Sequence, residues 1–572
     1  MKKLILIIFF ICSFFMANTY AQKVKTGNER ITEYVSATRV LWKAGLVKNE
    51  AQLLKTGTGQ ADVSNKSICI LENKKDGKAS ILLDFGKELQ GGVQIVTGIW
   101  GGNKPIKIRL RFGESASEAM SDIGGKGGAT NDHAIRDLET ILPWLGIAEI
   151  GNTGFRFVRI DVLEDDIKLV LKEVRAVAKY RDLIYRGSFN CSDTLLNKIW
   201  KTGAYTVQLN MQDYLWDGIK RDRLVWVGDL NPEISTINAV FGYNEVVPKS
   251  LDFAKNTTPL PQWMNGISAY SMWWIINQRD WYYHQGDLIY LNAQKTYLTD
   301  LINLLITKIG KDGEENLDGQ RFLDWPSSED PTAIHAGLQS MMILSLEAGG
   351  DLLKKLGDGN SAKKCETAIL LLKSHQPKLN ESKQAAALLS LAKLLETKKA
   401  NDILSSGEAK NFSTFFGYYM LQAKANAGDY QGAIDIIRAY WGAMLNLGAT
   451  TFWEDFNIDW IKNAGRIDEL VPEGKVDIHG AYGAYCYIGF RHSLCHGWAS
   501  GPTPWLTEHV LGISVIEPGC KVVRIKPHLG DLKFAEGSFP TPMGLIKVKH
   551  QKMTDGTVKS IIDAPKGITI LK

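Results

Sequence analysis

Residues 187–200 read GSFNCSDTLLNKIW, and inside them the periodicity of the chain changes. Leu195, Leu196, Ile199 and Trp200 fall at the 3.6-residue spacing of one helix face. Ser192 is placed to cap that helix. Asp193 sits in its first turn, where a carboxylate meets the positive end of the helix dipole. Upstream the texture is different. SICILEN, ASILLDFG, GGVQIVTGIW, IKIRLRFGE, FRFVRIDVLE and IKLVLKEVRAVAKY are short, rich in β-branched residues, and many are separated by Gly, Asp or Asn. In residues 106–112, Ile106, Ile108, Leu110 and Phe112 alternate with Lys107, Arg109 and Arg111, the pattern of a half-buried antiparallel strand. Several such strands predict a β-sandwich over residues 22–185. GGKGGATNDHA (124–134) is a loop within it, and a short helix opens residues 30–55.

Downstream, segments 193–213, 230–246, 265–284, 287–309, 333–356, 361–374, 381–397, 411–426, 429–445 and 498–511 each fit a helical period. Two less regular segments bring the number near twelve. No fixed repeat length is present, which disfavours a solenoid. Stacked helical hairpins over residues 186–515, closed into a toroid, are the expected architecture. Strand texture returns in CKVVRIKPHL, GLIKVKHQK, VKSIIDAP and ITILK. That final unit, 516–572, is too small for a good core of its own, so it should pack on the helices.

The chain's 572 residues fit three or four domains as a first estimate. With 45% hydrophobic and 23% charged residues it is globular rather than disordered. Its 67 basic and 62 acidic residues nearly balance, which argues against a nucleic-acid partner. The 16 Trp and 19 Tyr serve either cores or sugar-stacking faces, and composition does not separate the two.

Residues 1–22, MKKLILIIFFICSFFMANTYAQ, pair Lys2 and Lys3 with an apolar run from Leu4 to Met16. The run is shorter than the ~20 residues of a membrane-spanning helix. Thr19 and Ala21 suit a signal-peptidase site, so residues 1–21 are expected to be a cleaved leader and the protein periplasmic or secreted. Cys12 lies within the run rather than after it, which argues against a lipid anchor. No later run is apolar enough for an integral membrane segment. The other six cysteines are scattered without a CxxC pair, so they read as buried small apolar residues rather than as a metal site. No cofactor is called for, and the residues do not specify an oligomeric state.

Chemistry concentrates in three loops. DGIKRDRLVWVGD (217–229) holds three carboxylates and three cations within 13 residues, with Gly218 and Gly228 breaking helix on either side and Trp226 near its end. FLDWPSSED (322–330) puts Asp324 beside Trp325. GATTFWEDF (448–456) sets Glu454 between Trp453 and Phe456, where partial desolvation makes a carboxylate a better base. Carboxylate plus Trp in each loop points to one shared sugar site, so Trp226, Trp325 and Trp453 read as site rather than core. Paired carboxylates flanking a ring are what glycoside hydrolysis needs. A GxSxG elbow, a P-loop and HExxH are not found. The aromatic stretch Trp263, Trp273, Trp274, Trp281, Tyr282 and Tyr283 reads mainly as core, with one or two members left for a sugar site.

These runs, together with SLCHGWASGPTPWLTEHVLGI (493–513), resemble the bacterial α-L-rhamnosidases of glycoside hydrolase family 78, in the six-hairpin glycosidase superfamily. LLDFGKELQGGV…IRLRFGE resembles that family's N-terminal β-sandwich, and PGCKVVRIKPHLGDLKFAEGSFPTPMGLIKV its C-terminal β domain. The resemblance implies a multidomain chain: an all-α (α/α)6 toroid barrel flanked by an N-terminal β-sandwich and a small C-terminal antiparallel β domain. It implies inverting hydrolysis of terminal α-L-rhamnose from a carbohydrate substrate. It makes Glu454 the general base, and places Asp217, Arg221, Trp226, Asp229, Asp324, Trp325 and His496 around the sugar, beside the Trp453 that the loop pattern adds. One departure is evident. The family pattern D-x-x-x-R-D-E-R-x-x-W-x-G-D carries the general acid on its Glu, whereas this chain is one residue shorter and lacks it. Asp222 then takes the acid position, with Glu233 and Glu329 as other carboxyls to weigh. A non-catalytic carbohydrate-binding protein, and an exo-glycosidase for another sugar, are the alternatives.

Overall fold

The computed structural model describes residues 29–74, 77–483 and 488–572. The expected leader and Cys486 lie outside the described residues. The first unit is a nine-stranded antiparallel sheet between Arg30 and Arg181. Three long strands, Ser80–Thr97, Ile147–Val162 and Lys168–Arg181, form its spine. The register of Ser80–Thr97 breaks between Asp84 and Leu89 and again between Gly91 and Val93. Its first half therefore pairs with Arg39–Ala44 while its second half pairs with Lys168–Arg181.

Residues 30–55 do not open on a helix. They form strands Arg30–Ser36, Arg39–Ala44 and Leu46–Lys48, followed by one 3-10 turn, Glu50–Leu54. Ile31, Thr32, Val35 and Val40 are β-branched, and the long strands offer open edges to pair with, so tertiary pairing overrides the local pattern. In Ile106–Gly113 the alternation holds, with Ile106, Ile108, Leu110 and Phe112 fully buried. Its basic face is not simply wet, however. Arg111 is buried and pairs with Asp161 at 2.7 Å, and Arg109 pairs with Asp137. A short strand, Asp137–Leu142, completes this edge and was not evident from the sequence.

The first long helix, Thr194–Asn210, is capped by Asp193, whose Oδ1 accepts the Leu195 and Leu196 N–H groups. Ser192 instead accepts the Lys533 N–H at 2.9 Å. Ser188–Cys191 is a strand and pairs with Ala535–Ser538, so this stretch belongs to the C-terminal sheet rather than to the helices. Helices follow at Leu230–Val240, Val246–Thr257, Ser268–Gln285, Leu288–Thr307, Pro331–Lys355, Gly359–Ser374, Lys383–Leu391, Thr397–Ser405, Gly417–Asn426 and Tyr430–Asn446. The expected helix 230–246 is cut at Gly242 (φ 79°), and 498–511 breaks into three short turns. The helices share one hydrophobic core that includes Trp274, Trp281, Trp441 and Trp505. No helix among the described residues is long and apolar enough to cross a membrane.

The C-terminal unit has two sheets. Phe534–Thr541, Gly544–Lys552 and Val558–Asp563 join Ser188–Cys191 in one. Ile513–Val515, Val522–Ile525 and Thr569–Leu571 form the other, whose last pairing is parallel rather than antiparallel. The five described cysteines are buried and free.

Two buried cations tie the N-terminal sheet to the helical domain. Arg156 binds Asp84 with two nitrogens, at 2.8 and 3.0 Å, and donates to the Gly448 carbonyl. Lys220 lies 3.1 Å from Glu114 and 3.3 Å from Glu118, and donates to the carbonyls of Phe490 and His492. Burial disfavours the Lys220 ammonium, but the two glutamates outweigh it and raise its pKa. Such a buried network fixes the loops it touches, because losing one partner strands the others.

Candidate active site

The 217–229 stretch is a loop lying between helices, and it is held from both ends. Gly218 bridges His496 in backbone pairing, and Asp217 Oδ1 accepts the Leu224 N–H at 2.9 Å. Gly228 is required by proximity, since a Cβ there would lie 2.4 Å from the Tyr270 ring. Asp222 (φ 30°) and Arg223 (φ 60°) are consecutive left-handed residues. Such backbone costs roughly 1–3 kcal/mol of strain at each residue. Strain of this kind persists only where the surroundings over-determine it.

A cavity of about 220 Å3, the scale of one sugar ring, opens beside this loop. Asp217, Asp222, Asp229, Glu454 and His496 supply polar lining. Trp226, Tyr270, Phe322 and Trp325 form an aromatic wall, each ring edge-on to the next at 6.0, 6.5 and 5.0 Å between centroids. Polar groups facing an apolar wall match the two faces of a sugar.

Seven of the ten sequence-derived residues line the cavity: Asp217, Asp222, Trp226, Asp229, Trp325, Glu454 and His496. Three do not. Arg221 lies behind the lining, with Nη1 3.1 Å from Asp222 Oδ1 and Nη2 3.2 Å from Glu454 Oε1. It positions both carboxylates rather than facing a ligand. Asp324 caps the turn Trp325–Ser327, accepting the Trp325 N–H at 2.9 Å and the Ser413 hydroxyl. Burial pushes its carboxyl up to about 6. Trp453 is only 1% exposed and packs edge-on against Phe456. Glu454 faces the cavity while the adjacent Trp453 faces the core.

The other carboxyls weighed as the acid do not reach the cavity lining. Glu233 is fully buried against Gly497, where a Cβ would fall 1.5 Å from its Oε1, and Glu329 is exposed. Ile267, Tyr270, Gln320, Phe322 and Trp498 are lining residues that sequence reasoning missed. Phe322 and Trp498 do lie inside the quoted motifs, which was a usable signal. His133, from the glycine-rich loop of the N-terminal unit, reaches Asp222 Oδ1 at 3.3 Å, and nothing local in sequence announces that contact.

The electrostatics divide the carboxylates. His496 Nε2 lies 3.0 Å from Asp229 Oδ2. Burial opposes charging of this imidazole, but the Asp229 hydrogen bond and the Glu454, Asp229 and Asp217 carboxylates raise it to about 9. The imidazolium and Asp229 thus form an ion pair suited to orienting sugar hydroxyls. Burial holds Asp217 well above the usual carboxylate range, opposed by His496 and reinforced by Asp229 and Asp222. Glu454 is fixed on several sides. Oε2 accepts the Ser493 N–H at 3.0 Å, while its carbonyl accepts Trp498 Nε1–H at 2.8 Å and the Thr414 hydroxyl at 2.5 Å.

Next door, Asp455 is pushed up to about 8 by burial, then by Asp324 and Glu454. Its Oδ2 has no hydrogen-bond partner among the described residues. An unfolded aspartate ionises near pH ~4. Between that pH and about 8 the folded state therefore binds more protons than the unfolded one, and stability falls as pH rises. Asp455→Asn is expected to remove that slope. Melting scans should find it more stable than the parent at pH 8, by on the order of a few kcal/mol, and level with it near pH 4. A variant that parallels the parent across this range would mean that Asp455 ionises normally.

The family model for the bacterial alpha-L-rhamnosidase six-hairpin glycosidase domain matches residues 185–342, and that for the bacterial alpha-L-rhamnosidase C-terminal domain matches 512–571. Two stretches of the chain thus match domains of the bacterial alpha-L-rhamnosidases. An alpha-L-rhamnosidase of Alteromonas sp. (strain LOR) is 26% identical over 547 residues, covering 85% of this chain and 55% of that protein. The GH78 family rhamnosidase of Bacillus sp. GL1 superposes with a TM-score of 0.73 at 22% identity, covering 91% of this chain and 55% of that one. The rhamnosidase from Klebsiella oxytoca with rhamnose bound superposes with a TM-score of 0.65 at 18% identity, covering 84% of this chain and 96% of that one. The chain therefore spans a little over half the length of the Alteromonas and Bacillus proteins. It shares its fold, helical and β units together, with the solved structures.

Proposed function

We propose that the chain is an exported, exo-acting glycoside hydrolase that removes terminal α-L-rhamnose with inversion. The observation that carries this reading is the Arg221 bridge. One guanidinium binds Asp222 and Glu454 on neighbouring nitrogens, at the edge of a cavity sized for one sugar. That geometry keeps the two nearest carboxylate oxygens within about 9 Å of each other, a ceiling that admits the ~6.5–9.5 Å spacing of an inverting pair. Asp222 gives its proton to the glycosidic oxygen as the C1–O bond breaks, and the aglycone departs as an alcohol. Glu454 takes a proton from the water that attacks C1 from the opposite face. The His496–Asp229 pair and the aromatic wall hold the ring. In this reading the helices are an (α/α)6 barrel over 186–515, the strands on either side are its flanking β domains, and residues 1–21 are the export leader.

A second assignment of the acid rests on Asp217. It lines the same cavity and is kept protonated by burial, whereas Asp222 is surrounded by the donors Arg221, Trp226 and His133.

An aryl α-L-rhamnoside followed by proton NMR tests the function. β-L-Rhamnose should be the first anomer released. First release of the α-anomer would rule out inversion. Sugar binding without turnover of any aryl glycoside would establish the binding-protein alternative instead.

A further inference from the structure

Away from the cavity, three side chains from three elements converge at the protein surface. Glu314 lies on the turn after helix Leu288–Thr307, His335 in the second turn of helix Pro331–Lys355, and His375 just beyond helix Gly359–Ser374. His335 Nε2 is 3.3 Å from His375 Nε2 and 3.4 Å from Glu314 Oε1. All three donor atoms lie within 4.8 Å of one another, and each residue is half-buried.

The other side of the His335 ring decides what this means. Nδ1 is 2.7 Å from Oε1 of Glu315, a carboxylate with no exposed surface. With Nδ1 directed at that carboxylate, the other ring nitrogen, Nε2, is the one that can offer a lone pair outward. That lone pair faces a carboxylate oxygen and a second imidazole nitrogen. Two imidazole nitrogens and a carboxylate oxygen at this range suit a cation placed among them.

We propose that Glu314, His335 and His375 are a transition-metal site of the zinc type, with Glu315 as the carboxylate that orients His335. Zinc binds imidazole at 2.0–2.1 Å and carboxylate at 2.0–2.2 Å, so the edge of its tetrahedron is about 3.3–3.5 Å. Both separations from His335 Nε2 match that edge. A carboxylate behind a ligating histidine is the usual outer support of such a site. Two imidazoles and one carboxylate favour zinc-like ions over calcium or magnesium, which prefer all-oxygen sets. Three protein ligands leave the fourth position to water.

The metal would join a loop, the start of one helix and the end of another. Gln339 already moors this loop, accepting the Glu315 N–H and donating to the carbonyls of Gly313 and Leu372. Glu315 also holds Arg321, which stands between the cavity-lining residues Gln320 and Phe322. The metal thus braces one wall of the sugar cavity from outside.

The test is calorimetric titration of the chelator-treated full-length protein with Zn2+, alongside melting scans. One equivalent should bind, with a rise in melting temperature that excess Mg2+ or Ca2+ does not reproduce. Glu315→Gln should weaken binding about 10–100-fold, as loss of an outer-shell partner does, and His375→Ala by more. Glu314→Gln, at a half-exposed position, serves as the variant least able to disturb folding. Each variant is compared with the metal-free parent by melting temperature. Absence of saturable Zn2+ binding in the parent would overturn the proposal. So would unchanged binding in both His375→Ala and Glu314→Gln.

Discussion

Glu454→Gln is expected to lower kcat/KM on an aryl α-L-rhamnoside by about 10²–10⁴-fold while leaving KM within a few-fold. The substitution is nearly isosteric. The glutamine oxygen can still accept from Ser493 N–H or from Arg221, and the backbone contacts of residue 454 to Thr414 and Trp498 do not involve the side chain. The cavity therefore keeps its shape. What is lost is the ability to take a proton from water as C1 is attacked, an interaction made only in the transition state, and such losses fall on kcat. A structural role would behave differently. Removing one member of a buried ion pair costs on the order of 3–5 kcal/mol of stability, so a variant that had merely lost its fold would show a lowered melting temperature in parallel with its rate. Initial rates and melting scans on the same preparation separate the two. A variant that keeps a tenth or more of the parent rate would remove Glu454 from the chemistry.

The helical domain was legible because amphipathic helices carry their period in the residues themselves. Leu195, Leu196, Ile199 and Trp200 announced the first helix, and three of the four are buried. Its cap was misplaced by one residue because Ser192 and Asp193 are both competent. Only the chain's exit into the C-terminal sheet, where Ser192 meets Lys533, decides between them. Residues 30–55 were misread for a related reason, since their strands exist only by pairing with partners more than 20 residues away.

At the site, the loops were found because carboxylates and aromatics cluster in sequence. Which member of each cluster faces the cavity was not, because direction is set by packing. Trp453 and Asp324 stand beside true lining residues and point elsewhere. Tyr270 lies in a stretch read mainly as core and still reaches the cavity, while the six rings named there do not line it. His133 belongs to another domain altogether, and no local pattern could bring it to Asp222.

Asp222→Asn is the second large loss to expect, about 10²–10⁴-fold in kcat/KM for substrates with poor leaving groups. The left-handed backbone at this position is tolerated by Asn about as well as by Asp, so the turn should survive. The amide oxygen can also still accept the Trp226 Nε1–H that Asp222 receives at 3.0 Å. The proton itself is gone. A general acid matters in proportion to the basicity of the departing oxygen. The variant should therefore be most impaired on alkyl rhamnosides and least impaired on nitrophenyl rhamnosides, whose phenolate leaves with little help. A residue that only positions the sugar would slow both alike. The same comparison on Asp217→Asn decides between the two candidates. If the dependence on leaving group appears there and not in Asp222→Asn, the proton is delivered from the carboxyl that burial keeps neutral. Asp222 would then be the charged partner that Arg221 sets opposite Glu454.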